Sequence, residues 1–414
     1  MILYLNHYKG FENVFIPIMD VNFFVGENST GKTSILKLLE LLSSPNFWWR
    51  PEFNNTDIEL GYFSEIVSKT SGDGKSFEIG VSDEIKDNVN NFVWMKFVEK
   101  DSTPVIKEFR FTAEKKSIWC YDMQKSGVTY RTKTFDNNES FVDWINDFAE
   151  YSDKEICNKQ ISLNDPLFYI QSLIEKEVLG KDSNDFYSFS DRFFNKWCWI
   201  APIRAKAKRW YEPYKMSYST EGDHIPLLLF KILNGTSKKK ESYIKSLREF
   251  GINSGLFDNV SFRGGKKDEP FSLQIHYGKL SVNLTNVGYG ISQVLPLIVD
   301  LIHHQKMSFA IQQPEIHLHP KAQAAFGDFV FQNATQNKNR LIIETHSDYM
   351  INRFRYHLAG SKSKLKSQVL FFKRDEFGSK VYELPINSKG QFEGDFVTSY
   401  MNFFLEENLK MLEI

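Results

Sequence analysis

The chain has 414 residues, which is enough for two or three domains that each bury a core of their own. Its 42% hydrophobic and 25% charged residues are the balance of an ordinary globular protein, and no apolar run approaches the roughly 20 residues needed to cross a bilayer. The formal net charge of −1 excludes a general electrostatic attraction to nucleic acid.

The N-terminus and the cysteines both indicate a cytoplasmic protein. Residues 1–9 lack the charged-then-apolar layout of a signal peptide and are predicted to form a strand. The three cysteines, Cys120, Cys157 and Cys198, are too widely separated for a zinc site or a disulfide framework. We therefore expect buried thiols in a reducing cytosol and no association with a membrane.

A candidate phosphate-binding loop lies at residues 26–33, where Gly-Glu-Asn-Ser-Thr-Gly-Lys-Thr matches the pattern G-x-x-x-x-G-K-[ST]. It follows an apolar run and precedes a helix-forming run, the context that this pattern needs; the alternative is a glycine-rich turn with a chance Lys-Thr pair. In such a loop backbone N–H groups surround a polyphosphate, Lys32 reaches its β and γ phosphates, and the Thr33 hydroxyl binds Mg²⁺. The sequence therefore predicts binding of a nucleoside triphosphate through Gly26, Asn28, Ser29, Gly31, Lys32, Thr33 and Ser34.

Hydrophobic periodicity divides the rest of the chain into segments. Residues 3–11 and 14–25 are predicted as two strands leading into the loop, and 61–135 as largely strand because apolar residues alternate there. Helices are predicted within 139–195 and at 225–233, and strands and helices alternate after 260 as in an α/β core. A terminal helix predicted from 395 either docks on its own domain or binds a partner. The pattern indicates one nucleotide-binding unit split by an insertion.

Three short segments in the second half of the chain extend this pattern. Residues 286–296 read Asn-Val-Gly-Tyr-Gly-Ile-Ser-Gln-Val-Leu-Pro, 309–320 include Gln-Gln-Pro-Glu-Ile-His-Leu-His-Pro, and 341–348 read Leu-Ile-Ile-Glu-Thr-His-Ser-Asp. Each is weak alone, but their order and spacing behind a phosphate loop are specific. The chain resembles the ABC-type ATPase heads of the SMC, RecF and OLD proteins. It looks closest to compact AAA-type ATP-binding proteins of the OLD-like branch, many of which belong to bacterial antiphage defence systems.

The resemblance implies an α/β fold, a P-loop NTPase of the ABC-ATPase type with a mixed sheet flanked by helices and an antiparallel β subdomain. We predict a split ATPase core at 1–65 and 199–360, the antiparallel β subdomain at 66–135, a helical insertion at 136–198 and a C-terminal extension at 361–414. OLD nucleases carry a nuclease domain after the head, and 361–414 is too short for one. We therefore expect any cleavage of nucleic acid to come from another polypeptide.

The resemblance also implies that ATP lies between two chains of a homo-oligomer. Residues 288–293 occupy the place of the ABC signature motif, which presents a helix N-terminus to the γ-phosphate bound by the opposite subunit. Gly288 stands where the family has serine, which leaves a backbone contact, and Ser292 is a candidate substitute for the missing hydroxyl. ATP would be held by Lys32 and Thr33 of one chain and by Gly288, Gly290 and Ser292 of another.

The expected catalytic segment departs from the family. Related heads end this strand in an acidic residue for Mg²⁺ and a glutamate for water, whereas this chain has Gln312 and Gln313. A carboxamide can bind Mg²⁺-bound water through its oxygen but cannot act as a general base. Three interpretations stay open: Glu315 supplies the carboxylate, ATP binding itself is the switch and hydrolysis is slow, or one glutamine was engineered to trap ATP. Glu344 is a further acidic candidate.

A histidine completes the predicted site. His346 follows the apolar strand 341–343 in the place of the family's switch histidine, which would donate to the γ-phosphate; a histidine satisfied within its loop is the alternative. We therefore predict catalytic positions at Glu315, Gln313 and His346, and Mg²⁺ positions at Thr33 and Gln312.

The function implied by the resemblance is an ATPase that oligomerises around ATP and regulates a nuclease or toxin effector encoded nearby, in antiphage defence. The alternatives are a RecF-like DNA-repair ATPase and a non-hydrolysing ATP-dependent scaffold. A basic, aromatic patch with Arg204, Lys208 and Arg209 is a candidate for nucleic-acid contact. An Arg204 that faces the nucleotide or the dimer partner, and an ordinary solvated face, are the other interpretations of this patch.

Overall fold

The computed structural model describes residues 1–56, 58–69, 74–85, 89–124, 127–136, 138–148, 151–152, 155–157, 167, 174, 176, 178, 197–214, 218–235, 240–265, 269–376 and 378–412. Contacts divide the chain into two compact units. The first unit comprises Met1–Ile18, Glu27–Trp197 and Phe372–Val381, and the second comprises Met19–Gly26, Cys198–Phe371 and Tyr382–Ile414. The domain boundaries inferred from the sequence stay a prediction.

The first unit is built on an antiparallel sheet. Its strands are β1 Ile2–Asn6, β2 Val14–Pro17, β4 Ser76–Ile85, β5 Val89–Lys100, β6 Thr103–Ala113, β7 Lys116–Gln124, β8 Gly127–Thr134 and β9 Glu155–Cys157, in the spatial order β2-β1-β4-β5-β6-β7-β8-β9. Every neighbouring pair is antiparallel. Apolar side chains at alternate positions explain the sheet, since Phe77, Ile79 and Val81 of β4 are each 0% exposed. The strands expected between residues 61 and 135 are present in this sheet.

The helices that accompany this sheet include α1 Lys32–Ser43, α2 Pro45–Trp49, α3 Phe63–Ile66 and α4 Phe141–Asn146. A buried cation fastens α4 to the sheet. The guanidinium of Arg110 donates to the carbonyl of Trp144 at 2.6 Å and that of Ile145 at 3.1 Å, and lies 4.0 Å from the Trp144 ring centre. Most of the helical insertion predicted after α4 lies outside the described residues.

Most residues of another, mainly buried sheet belong to the second unit, and this sheet contains the strand before the phosphate loop. Its strands are β3 Val21–Gly26, β10 Trp197–Ile200, β14 Ser308–Gln312, β15 Arg340–Glu344, β16 Ser367–Asp375 and β17 Gly378–Ile386, in the order β10-β14-β15-β3-β16-β17. The pairs β14–β15 and β15–β3 are parallel. Two of the strands come from beyond residue 360, so the core sheet continues into the segment that we predicted as a C-terminal extension.

The expectation of one strand over residues 14–25 was wrong, because two strands of different sheets, β2 and β3, occupy this stretch. The chain turns between them, and a buried asparagine stabilises the turn. The Asn22 side chain accepts from the Met19 N–H and donates to the Met19 carbonyl, both at 2.9 Å. Asn22 also donates to the carbonyl of Leu341 in β15, at 3.2 Å, which ties the start of β3 to its neighbour.

Helices and a small sheet surround the six-stranded sheet. The helices are α5 Ile225–Asn234, α6 Lys240–Ser254, α7 Tyr289–His303, α8 Pro320–Gln332, α9 Asp348–Ala359 and α10 Val397–Leu412, with a 3-10 turn at Leu284–Asn286 and a π-helical turn at Asn333–Asn337. The small antiparallel sheet consists of β11 Asn259–Gly264, β12 Phe271–Tyr277 and β13 Leu280–Asn283. Terminal helix α10 docks on its own unit: Tyr400 is 0% exposed, and its ring lies 5.9 Å from that of Phe371.

Two further expectations concern membranes and thiols. Among the described residues, no helix has the length and apolar character that a membrane crossing requires. Cys120 and Cys198 are buried thiols, as the sequence indicated. The side chain of Cys157 lies outside the described part of the structure.

Candidate functional site

The phosphate loop has backbone conformations that require glycine. Strand β3 ends at Gly26 with φ 140°, and Gly31, with φ 90°, precedes helix α1. A Cβ atom on Gly31 would lie 2.5 Å from the ring of Phe11 in the same unit, so both space and φ exclude a side chain. Helix α1 starts directly after the loop, so the positive end of its dipole lies there, and no side chain caps this helix end.

Lys32 lies inside the loop that precedes it. Its side chain is 3% exposed, and its ammonium donates to the Glu27 carbonyl at 2.5 Å. The Thr30 hydroxyl donates to the same carbonyl at 2.9 Å, which closes the loop on itself. Asn28 and Ser29 are exposed, and Ser29 is left-handed with φ 61°. Thr33 and Ser34, in the first turn of α1, are half-buried.

In the second unit, three parallel strands end at one edge of the sheet. Gly26, Glu344 and Gln312 are the last residues of β3, β15 and β14. The residues that follow continue the ladder, because the Thr345 N–H donates to the Phe24 carbonyl at 3.0 Å and the Gln313 N–H donates to the Glu344 carbonyl at 2.8 Å. Strand β3 is followed directly in the chain by the phosphate loop. Ligands of open α/β sheets bind at the carboxyl ends of such strands.

The two glutamines lie where the sequence placed them. Gln312 is 9% exposed at the end of β14, and Gln313 follows it in the left-handed region with φ 43°. Their carboxamides add no charge to the edge, and neither can accept a proton as a general base. Glu344 is 4% exposed at the end of β15.

Glu315 brings a carboxylate to the same edge. Its Oε2 accepts from the Thr345 hydroxyl at 2.9 Å, and its Oε1 accepts from the His346 N–H at 2.7 Å. Burial raises the pKa of Glu315 above the ordinary glutamate value, while these hydrogen bonds and the charge of Arg204 oppose that rise. The carboxylate is therefore fixed in direction and more basic than a solvated one, which suits a group that accepts a proton from water.

The loop after β15 is held in place at both ends. His346 is half-buried and is fixed through its backbone by Glu315. Ser347 caps helix α9, because its hydroxyl accepts from the Met350 N–H at 3.2 Å. The Thr345 contact was not identified from the sequence, although its position between Glu344 and His346 in the third segment was the signal that could have shown it.

The segment 288–293 forms the start of helix α7. Gly288 is the N-cap and exposed, and a Cβ atom there would have nothing within 4 Å. At Gly290, by contrast, a Cβ atom would lie 2.5 Å from the His317 carbonyl oxygen. Ser292 is 7% exposed, and its hydroxyl donates to the Tyr289 carbonyl at 2.8 Å. The hydroxyl of Ser292 thus bonds within its own helix, and Gly288 presents the helix end to solvent.

Arg204 does not belong to the exposed basic patch. It is 1% exposed, and its Nη2 donates to the Gln312 carbonyl at 2.9 Å. Inclusion of Arg204 among the nucleic-acid contacts was therefore wrong, because a buried guanidinium cannot reach a phosphate backbone. Lys208 and Arg209 are exposed, and Lys208 pairs with Asp223 at 3.4 Å.

A glycine-rich loop that follows a buried strand and precedes a helix is the arrangement of a P-loop ATPase. The chain belongs to the AAA ATPase domain family, whose model matches residues 1–193 and 203–351. Membership of this family implies ATP binding. The resemblance to the ATPases of the SMC, RecF and OLD type is thereby confirmed.

Relatives with assigned functions match parts of the chain. Endonuclease GajA of Bacillus cereus (strain HuB5-5) is 24% identical over 372 residues, which cover 79% of this chain and 52% of that protein. The DNA replication and repair protein RecF of Latilactobacillus sakei subsp. sakei (strain 23K) is 37% identical over 71 residues, 17% of this chain and 18% of RecF. The chain thus spans about half the length of the first of these relatives.

Solved structures of SMC heads are also similar to the chain. The SmcHead bound to the C-winged helix domain of ScpA shares 13% identity at a TM-score of 0.44, over 93% of this chain and 97% of that one. The SMC head domain from Thermotoga maritima shares 12% identity at a TM-score of 0.36, over 92% of this chain and 98% of that one.

The donor atoms suit magnesium that arrives with a nucleotide. Thr33 of the first unit and Gln312 of the second each carry an oxygen atom, the ligand element that Mg²⁺ prefers. Among the described residues, no group of three or more His, Cys, Asp or Glu side chains could hold a metal ion. Among those residues, side chains alone do not form a metal cage, and phosphate oxygens would have to supply further ligands.

Proposed function

We propose that this chain binds Mg²⁺-ATP, hydrolyses it slowly, and assembles with further copies of itself through the ATP sites to regulate an effector. The observation that carries the proposal is the phosphate loop, whose glycine conformations and uncapped helix α1 fit a polyphosphate. Lys32 would bind the β and γ phosphates, and Thr33 and Gln312 are the residues that would hold Mg²⁺, whose charge would offset that of the phosphates.

Glu315 is the proposed acceptor of the proton from the attacking water. Its carboxylate is already oriented by the Thr345 hydroxyl and the His346 N–H, and each oxygen retains lone pairs for a water molecule. Gln313, two residues earlier, orients that water without taking a proton. His346 donates to the γ-phosphate, so its loop reports whether ATP or ADP is bound.

The partner chain completes the site through its α7 helix. Exposed Gly288 and the N-terminal turn of α7 offer backbone donors and the positive end of a 15-residue helix. These groups bind the γ-phosphate held by the opposite subunit, so ATP favours the assembled state and its loss favours separation. Gly290 and Ser292 shape this helix end.

The biological setting that we propose is antiphage defence, in the cytoplasm, with a nuclease or toxin as effector. It is supported by the similarity to a protein named as an endonuclease, of which this chain covers about half. Co-purification tests this part: neighbouring gene products that never associate with the chain would exclude an effector among them.

The test of the ATPase is steady-state phosphate release from Mg²⁺-ATP by the unmodified chain and its Lys32→Ala and Glu315→Gln variants. We expect Lys32→Ala to abolish both ATP binding and turnover, and Glu315→Gln to retain binding while turnover falls by about 10²-fold or more. Lys37→Ala is the matched control and should behave as the unmodified chain, because Lys37 is a half-buried lysine on the same helix whose ammonium donates to the Glu59 carbonyl at 3.3 Å. Retained turnover in Lys32→Ala would refute the proposal.

A binding switch without hydrolysis is the second candidate, and the Gln312–Gln313 pair favours it. The variant Gln313→Glu distinguishes the hydrolysing ATPase from the binding switch. It restores a carboxylate at the position where the family has a glutamate, and it does not change the left-handed backbone conformation that residue 313 requires. If Glu315 is the proton acceptor, Gln313→Glu should make the Glu315→Gln variant active again. If binding alone is the switch, the unmodified chain should assemble with ATP and release no phosphate.

A RecF-like repair ATPase is a third candidate, which the short match to RecF supports. Duplex DNA should then stimulate phosphate release, and neutralising Lys208 and Arg209 should remove that stimulation. Unchanged turnover over a range of DNA concentrations at low salt would exclude it.

A further inference from the structure

Arg204 is a buried guanidinium that the proposed mechanism does not use. The residue is 1% exposed, yet its Nε and Nη1 atoms have no hydrogen-bond partner within the described part of the chain. A buried charge with unsatisfied donors is costly, and an apolar side chain of similar volume would be more stable in an ordinary core. This cost indicates a role that an apolar side chain could not perform.

The backbone of Arg204 is hydrogen-bonded to helix α7. The Arg204 N–H donates to Gln293 Oε1 at 3.0 Å, and Gln293 Nε2 approaches the Arg204 carbonyl at 3.4 Å. Gln293 is 2% exposed, one turn inside the end of α7 that Gly288 caps. Any displacement of this helix end therefore carries Arg204 with it.

The side chain of Arg204 reaches the catalytic edge. Its Nη2 donates to the Gln312 carbonyl at 2.9 Å, and its charge interacts with the Glu315 carboxylate. Burial lowers the pKa of Arg204 to about 10, and Glu315 partly counters this, so the guanidinium is charged at neutral pH. In the proposed assembly, helix α7 faces the nucleotide of the partner subunit, and Glu315 faces the nucleotide of its own subunit. Arg204 connects the two.

We propose that Arg204 is a positioning residue that couples the N-terminal end of α7 to Glu315. Nucleotide held by the partner subunit moves the helix end, Gln293 transmits the movement to the Arg204 backbone, and the unsatisfied Nε and Nη1 groups then bind the Glu315 carboxylate. Glu315 is then correctly positioned to accept a proton from water only when its own subunit binds ATP and its α7 helix contacts the ATP of the partner subunit. Hydrolysis therefore follows assembly. This inference rests on the proposed ATPase function with Glu315 as the proton acceptor.

The test is a double-mutant cycle between Arg204→Met and Glu315→Gln, with single-turnover phosphate release followed over hours so that slow variants remain measurable. We expect Arg204→Met to lower the hydrolysis rate about 10- to 100-fold, the scale on which a misplaced catalytic group acts, with the Kd for ATP changed less than about twofold. In the Glu315→Gln background the same substitution should cost nothing further. Arg204→Lys should recover part of the rate, because it retains a charge that can reach Glu315.

The helix side of the coupling has its own variant. Gln293→Leu removes both bonds to the Arg204 backbone while its shape still fills the space. We expect it to leave ATP-dependent assembly intact, measured by light scattering, and to lower the hydrolysis rate as Arg204→Met does, without additivity. Arg248→Met, an exposed arginine on α6, is the control for the loss of an arginine.

Three outcomes overturn the inference. Multiplicative losses in the Arg204–Glu315 cycle would show that the arginine acts independently of the carboxylate. A loss confined to KM or to the melting temperature would show a role in binding or folding only. Absence of ATP turnover in both the unmodified chain and Arg248→Met would refute the proposed function, and the coupling with it.

Discussion

Gly290 offers a direct test of the contact between the start of helix α7 and the loop after β14. A Cβ atom on Gly290 would lie 2.5 Å from the His317 carbonyl oxygen, whereas ordinary contacts begin at 3.4 Å. The substitution Gly290→Ala therefore requires about 0.9 Å of movement, and the obstacle is backbone rather than a flexible side chain. His317 cannot yield easily, because it is held in the left-handed region with φ 65° and its ring packs 4.7 Å from that of Tyr289.

The expected cost follows from this overlap. Overpacking a well-ordered site costs about 1–3 kcal/mol, which in a unit of this size lowers the melting temperature by roughly 2–10 °C. Because this movement separates the N-terminal end of α7 from the segment that carries Glu315, we also expect ATP-dependent assembly to weaken. The assays are thermal unfolding monitored by intrinsic fluorescence and light scattering with and without ATP.

Gly288→Ala is the matched control for Gly290→Ala. It lies two residues away, has φ −57°, and has nothing within 4 Å of a Cβ position. An alanine there should leave stability unchanged or raise it by about 0.4–1 kcal/mol, since it restricts the unfolded chain. Equal melting temperatures for the two variants would refute the steric argument and the contact on which it depends.

Three further variants or conditions test the rest of the site. Gly31→Ala should abolish ATP binding, measured with a fluorescent analogue, because φ 90° and the Phe11 ring at 2.5 Å both oppose a side chain. Thr345→Val should lower the rate constant kcat about 10-fold by removing one hydrogen bond to Glu315, and Thr345→Ser should restore it. Burial raises the pKa of Glu315, so kcat should fall with decreasing pH at a higher midpoint than an ordinary glutamate would give, and Glu315→Gln should lack this limb.

Local patterns were sufficient for the parts of this fold that depend on neighbouring residues. The phosphate loop was predictable because its glycines serve backbone conformations that few residues adopt, as Gly31 shows with φ 90°. The strands of the first unit were predictable because burial of one face imposes a period of two, as in β4. Both signals are complete within about ten residues of sequence.

Other features depend on partners far along the chain and could not be predicted in this way. The break between β2 and β3 depends on Asn22, whose amide bonds to Leu341, more than 300 residues later. An arginine beside lysines and aromatic residues indicates an exposed patch, and only the contacts of Arg204 with Gln293 and Gln312 show that it is buried. Strands β16 and β17 have no motif of their own, so their place in the core sheet was not apparent.

The position of Glu315 supports the proposal that it acts as the base, although Gln312 and Gln313 occupy the last position of β14 and the one after it. A carboxylate at the strand end would be aligned by the strand itself, whereas Glu315 lies three residues further on and needs other supports. Those supports are the Thr345 hydroxyl and the His346 N–H, both in the loop after the neighbouring strand. The proposed base, Glu315, and the proposed switch histidine, His346, are therefore parts of one hydrogen-bonded structure. Movement of the His346 loop on loss of the γ-phosphate would displace Glu315 as well, so the proposed site loses its base whenever ATP is absent.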